Sequence, residues 1–303
     1  MVLSAWPCSS KSAEHAEGPF WDGQQLGWVD IPAGKLWLAR DSGSALADER
    51  CFEVGRPLGA AVPAQQGGWL VAAGIGLAHL AADGTVREIA ETENDPQRIR
   101  MNDGKCDPVG RFWAGTMAYD SAPGAGALYQ LDVDGSLRTM LKGVTISNGL
   151  GWSPDLSTMY YIDSGSRRID AFDYDRSAGS IHNRRTLVPI PSDAGMPDGM
   201  AVDDEGCIWV ALWGGSSVRR YDRLGRHVGT VRVPASQPSS CCFGAGTTLF
   251  ITTSRQDLSA DRLAAEPEAG RIFRVDVGVG GPPAAPYRGP TDRVACDAPA
   301  DRD

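Results

Sequence analysis

The stretch Arg98–Met117, RIRMNDGKCDPVGRFWAGTM, places three strongly polar residues, Arg100, Asn102 and Asp103, directly ahead of a run ending Phe112-Trp113-Ala114-Gly115 that is as apolar as a core strand. A polar group at the lip of a buried strand is either a turn residue or part of a site. Counting outward from it gives a register. Asn102 stands eleven positions before Trp113, and the same step joins Glu17 to Trp28, Gly59 to Leu70, Asn148 to Met159 and Asp198 to Trp209. A looser sixth copy starts near Ser240 and runs into Phe250. The starts lie 42, 43, 46, 50 and 42 residues apart, which matches the ~40–50-residue period of propeller blades.

The rest of the chain agrees. LGWVDI, GWLVAA, TMYYID, CIWVALW and TLFITT are β-type runs rich in Trp, Tyr, Ile, Val and Thr. Between them, PAGK, AADGT, DVDGS, DDEGC and DRLGR supply hairpin turn chemistry. Later in most copies comes a run such as ALYQLDVDG or RIDAFDYDR, alternating as an outer strand does. These patterns predict an all-β chain, a six-bladed β-propeller, forming one domain over residues 1–277. The stretch 257–270 is the most helix-like, and VLSAWP near the N-terminus is expected to close the ring beside RIFRVDV. Residues 278–303 are rich in Pro, Gly, Ala and Asp and read as a disordered tail.

Composition narrows the function. Of 303 residues, 42% are hydrophobic, enough for a full core, and the balance of 29 Lys+Arg against 38 Asp+Glu gives a net charge of −9. An acidic chain argues against nucleic-acid and anionic-membrane partners and favours cations or small neutral ligands. Seven cysteines, none in a C-x-x-C pair, signal neither a disulfide framework nor a thiolate zinc site. With no signal-peptide pattern and no long apolar run, the expectation is a cytoplasmic protein, monomeric or a weak homo-oligomer. The G-x-S-x-G, P-loop and H-E-x-x-H patterns are absent from the sequence.

Blades are related by rotation about one axis, so residues at one register converge near it. Position one reads Glu17, Gly59, Asn102, Asn148, Asp198 and a Ser. Asn148-Gly149 and Asp198-Gly199 are also common hairpin dipeptides, so each alone could be a turn former. Glu is not a favoured turn residue, and a shared register in separate repeats points instead to an oxygen-lined cavity at the channel mouth.

AEGPFWD, RMNDGKCDPVGRFWAGTM, GVTISNGLGWSPD and MPDGMAVDDEGCIWVA resemble, in order, the four signature segments of the SMP-30/gluconolactonase/regucalcin family, with likeness from roughly residue 14 to 275. The resemblance implies a six-bladed propeller that hydrolyses sugar lactones with one divalent cation. Matched by motif, Glu17, Asn148 and Asp198 resemble the metal ligands and Arg100 and Asn102 the substrate contacts. Asp198 also takes a proton-transfer role, with Asp103 as the reserve base or else a turn acid. A further substrate-contacting acid, often Glu in the family, is matched by Asp120, whose reach is shorter by one methylene.

Two carboxylates and an amide oxygen form a hard shell suited to Ca²⁺ first, or Mg²⁺ or Mn²⁺; Zn²⁺ or Fe²⁺ would usually bring His or Cys. The expected partner is a small sugar lactone. A calcium-binding regulator using the same ligands, a propeller scaffold for protein partners, and an organophosphate or other ester hydrolase are the rival readings. His15 reads as a surface or supporting residue, Trp213 as a rim residue, and Cys241-Cys242 as packed small side chains.

Overall fold

The computed structural model describes residues 2–292. Six sheets stand in a ring, each starting with a strand that touches the first strands of its neighbours. These inner strands are Ala16–Trp21, Leu58–Pro63, Ile99–Cys106, Ser147–Trp152, Met196–Val202 and Pro238–Phe243, and they define blades one to six. Antiparallel neighbours continue each blade outward, so the fold is the six-bladed β-propeller expected.

Position in the blade explains the sequence pattern. Inner and second strands are covered on both faces by adjacent blades and read as unbroken apolar runs, as in the wholly buried Phe112–Ala118. Outer strands face solvent and alternate, as in Leu46–Glu53.

Each inner pair also carries a register irregularity at the repeated position. The shifts fall between Glu17 and Phe20, Leu58 and Ala60, Met101 and Gly104, Asn148 and Leu150, Pro197 and Met200, and Pro238 and Ser240. A bulge breaks the ladder at or beside position one and bends the strand there, which lets polar side chains turn toward the channel while the flanking residues stay packed. At Gly59 no side chain fits. A Cβ there would sit 2.2 Å from Asn102 O.

The ring closes through both termini, with one difference from expectation. Trp6–Pro7 pairs antiparallel with Phe273–Asp276 in blade six, but Val2–Ser4 runs parallel to His227–Arg232 and adds a fifth strand to blade five. A short helix, Ala260–Ala265, capped by Ser259, lies in the stretch expected to hold one.

The disordered-tail expectation needs correction for residues 278–292; residues 293–303 lie outside the described residues. The segment is a strap bonded to four blades through Gly280 O with Asp204 N, Ala284 N with Trp21 O, Tyr287 N with Pro63 O, and Arg288 N with Gly110 O, at 2.8–3.0 Å. Tyr287 is fully buried, and its hydroxyl donates to Asp132 O at 3.2 Å. Composition suggested disorder because few apolar side chains are available, yet backbone pairing and one aromatic anchor suffice. Tyr287→Ala is expected to cost about 3 kcal/mol through the cavity it leaves. An unchanged denaturant midpoint would remove the anchoring role.

Candidate functional site

At one mouth of the channel a cavity of about 260 Å³ is lined by Glu17, Arg100, Asn102, Asn148 and Asp198, drawn from blades one, three, four and five. The bulged register thus brings the candidate residues together, with the exception of Asp120. That residue is exposed on the loop after blade three's second strand, and its Oδ1 accepts from Ala122 N at 3.0 Å; the next residue, Ser121, lines the cavity instead. Asp103, the reserve base, is buried but lines a second cavity, together with Ser240, rather than this one.

The amides are fixed by their partners. Asn148 Nδ2 donates to Ser164 Oγ at 2.8 Å, and that hydroxyl donates to Pro197 O at 2.7 Å. This turns Asn148 Oδ1 toward Asn102, whose Nδ2 donates to it at 3.2 Å and to Ser147 O at 2.8 Å. Arg100 Nη1 donates to Asn102 Oδ1 at 2.7 Å and to Met101 O at 2.9 Å. Its Nη2 makes no hydrogen bond among the described residues.

Glu17 breaks this pattern of satisfaction. Its carboxylate is buried; Oε2 accepts from Gly18 N, while Oε1 has no partner among the described residues. Burial pushes Glu17 well above the usual carboxylate range, and repulsion from Asp103 and Asp198 adds to the rise. Asp198 is raised for the same reasons, burial first and Asp103 second, with Arg100 opposing. Burial raises Asp103 also, with Lys105 opposing. A buried unpaired carboxylate oxygen is costly. An orphaned oxygen beside a second carboxylate and an amide oxygen, with excess negative charge around them, fits a hard divalent cation. Glu17, Asn148 and Asp198 are the residues that would hold it.

Another acidic group shows the contrast. Asp203, Glu205 and Cys207 also cluster, but Arg220 bridges both carboxylates, and Asp203 further accepts from Trp209 Nε1 at 2.9 Å. Asp107 accepts from Trp113 Nε1 at 3.1 Å in the same way. These acids brace buried indoles between blades and are already satisfied.

The cavity also holds residues that the register could not reveal. His15 stacks on Trp213 with ring centroids 5.1 Å apart, and Gln256 reaches the imidazole from blade six. Burial lowers the His15 pKa to about 4, which keeps the ring neutral. Trp213 was legible as a rim residue just beyond a strand, whereas nothing local marked Gln256. Cys241 and Cys242 are both buried, and burial pushes their thiols above the ordinary range.

The SMP-30/gluconolactonase/LRE-like family model matches residues 15–255. The chain belongs to this family. Among its relatives is regucalcin of Danio rerio, 39% identical over 288 residues that cover 91% of this chain and 95% of that protein. A solved luciferin-regenerating enzyme superposes with a TM-score of 0.85 at 31% identity, over 92% of this chain and 97% of its own. A calcium-binding protein, regucalcin from Agrobacterium tumefaciens, gives a TM-score of 0.88 at 27% identity, over 95% and 99%. Among the described residues no helix is long and apolar enough to cross a membrane.

Proposed function

We propose that this family member is a divalent-metal-dependent sugar lactonase that hydrolyses an aldonolactone to the aldonic acid. The observation that carries the reading is Glu17 Oε1, buried and unpartnered beside Asp198 and Asn148 in a cavity that also presents Arg100 and Asn102. Glu17, Asn148 and Asp198 would hold a divalent cation, Ca²⁺ first, whose positive charge would favour the oxyanion that develops as water adds to the lactone carbonyl.

The protein's own groups supply the rest. Arg100 offers its free donors to the carbonyl and ring oxygens, and Asn102 holds the guanidinium in place. Asp198 takes a proton from water as the water oxygen bonds to the carbonyl carbon. The ring C–O bond then breaks, the departing oxygen takes a proton back from Asp198, and the open-chain acid leaves.

The test is proton release from glucono-, galactono-, arabino- and xylono-lactones by chelated protein, and by protein given Ca²⁺, Mg²⁺, Mn²⁺ or Zn²⁺. Turnover restored by a cation is expected. Cation binding without turnover of any lactone would instead favour a calcium-binding role, the reading that the calcium-binding Agrobacterium relative supports.

Arg100→Ala separates the roles of the site. Cation affinity is expected to stay near that of the parent, while kcat/KM falls about 10–100-fold, the worth of one charge-assisted hydrogen bond. Loss of cation binding in this variant would contradict a substrate role.

A further inference from the structure

Among the buried polar groups of the cavity, Glu17, Asn148 and Asp198 form the cation set and Asn102 is engaged on both sides of its amide; Arg100 is a donor, and Ser121 and Asp257 lie on exposed loops at its edge. None of the buried groups offers a substrate hydroxyl an acceptor free of the cation. His15 does. It precedes blade one's inner strand and is pinned by a bridge to Ser254 of blade six. Its Nδ1 lies 2.7 Å from Gln256 Oε1.

A carboxamide oxygen can only accept, so the proton of the neutral imidazole sits on Nδ1 and Nε2 is left as an acceptor. The same orientation of the Gln256 amide turns its Nε2 to Asp257 Oδ2 at 3.4 Å, and its backbone N donates to Ser254 Oγ at 3.0 Å. Asp257 adopts a left-handed backbone, φ 59°. Trp213 fixes the plane of the ring from blade five by stacking on it at 5.1 Å. His15 Nε2 has no hydrogen bond among the described residues, although the ring lines the cavity. Three blades therefore combine to hold the ring with a proton on Nδ1.

We propose that His15 is a specificity determinant, its Nε2 accepting a hydrogen bond from a substrate hydroxyl and so selecting polyhydroxylated sugar lactones over unsubstituted ones, with Gln256 as the positioning residue. The proposal rests on the lactonase reading of the same cavity. A lactone without hydroxyls leaves Nε2 unpaired, and sites built to bond a substrate hydroxyl discriminate against analogues that lack it. Asp257 also lines the cavity, but its Oδ2 is turned to Gln256.

The experiment compares kcat and KM for D-glucono-δ-lactone and δ-valerolactone, which has no hydroxyl, in the parent, H15F and Q256A. Phenylalanine keeps a ring against Trp213 but removes both nitrogens; Q256A keeps the imidazole and frees its tautomer. In both variants the ratio of kcat/KM for gluconolactone over valerolactone is expected to fall about 3–10-fold, chiefly through KM for gluconolactone, as one neutral hydrogen bond predicts. A ratio within twofold of the parent in both variants would overturn the proposal. So would a parent that opens valerolactone as efficiently as gluconolactone, which leaves the lactonase reading standing. A parent that opens neither lactone removes the lactonase reading, and calorimetric binding of D-gluconate then decides: weaker binding in H15F than in the parent supports the acceptor role, and equal binding ends it.

Discussion

Asp198→Asn is expected to lower lactone turnover by about 10³-fold, in the middle of the range for loss of a general base. Asparagine keeps an oxygen at the same distance from the backbone but cannot carry the proton between water and the departing ring oxygen. It also removes one of the two carboxylates in the candidate cation set, so cation affinity should weaken, and the assay needs saturating Ca²⁺ to isolate the proton-transfer loss. Glu17→Gln is the partner measurement. It leaves Asp198 in place, so saturating cation should recover more of its activity than of the Asp198 variant's. Full activity in Asp198→Asn at any cation concentration would remove Asp198 as the base. Asp103 is a poor substitute, because it lines the other cavity rather than this one and its Oδ1 is bonded to Gly104 N at 2.7 Å.

The propeller was legible because rotation about one axis writes itself into the chain as a repeat. Polar residues at Glu17, Asn102, Asn148 and Asp198 break an otherwise apolar run at the same step in separate blades, and the ladder is interrupted at or directly after each of them. Asp120 shows where linear matching stops. A position a few residues past a strand sits on a loop, and here the carboxylate turns back on its own turn at Ala122 N. His15, Trp213 and Gln256 meet only through ring closure between blades five, six and one, so no local spacing joins them. The strap was missed for the opposite reason. Its composition carries little burial, but its backbone completes bonds offered by four blades.

The proposed cation should change the way stability depends on pH. In the cation-free protein, burial raises Glu17, Asp198 and Asp103 above their unfolded values, with repulsion from Asp103 adding to the rise of Glu17 and Asp198, so the folded state binds more protons than the unfolded chain. A raised carboxylate contributes stability that is fully present below its unfolded pKa of about 4 and is lost as pH rises through the folded value. Chelated protein should therefore melt at a lower temperature at pH 8 than at pH 5.5, with each such group contributing a slope of at most about 1.4 kcal/mol per pH unit.

Cation binding has the opposite sign, because it needs these carboxylates ionised and protons compete with it. At a free cation concentration a thousand times its dissociation constant, binding adds about 4 kcal/mol. For a chain of this size that corresponds to roughly 6 °C in melting temperature. The increment should be larger at pH 8 than at pH 5.5, where the protons already neutralise the pocket. Thermal melts with EGTA and with excess Ca²⁺ at the two pH values measure all four corners of this cycle. A calcium increment that is the same at both pH values would mean that the cation does not share these carboxylates with protons, and would place it away from Glu17 and Asp198.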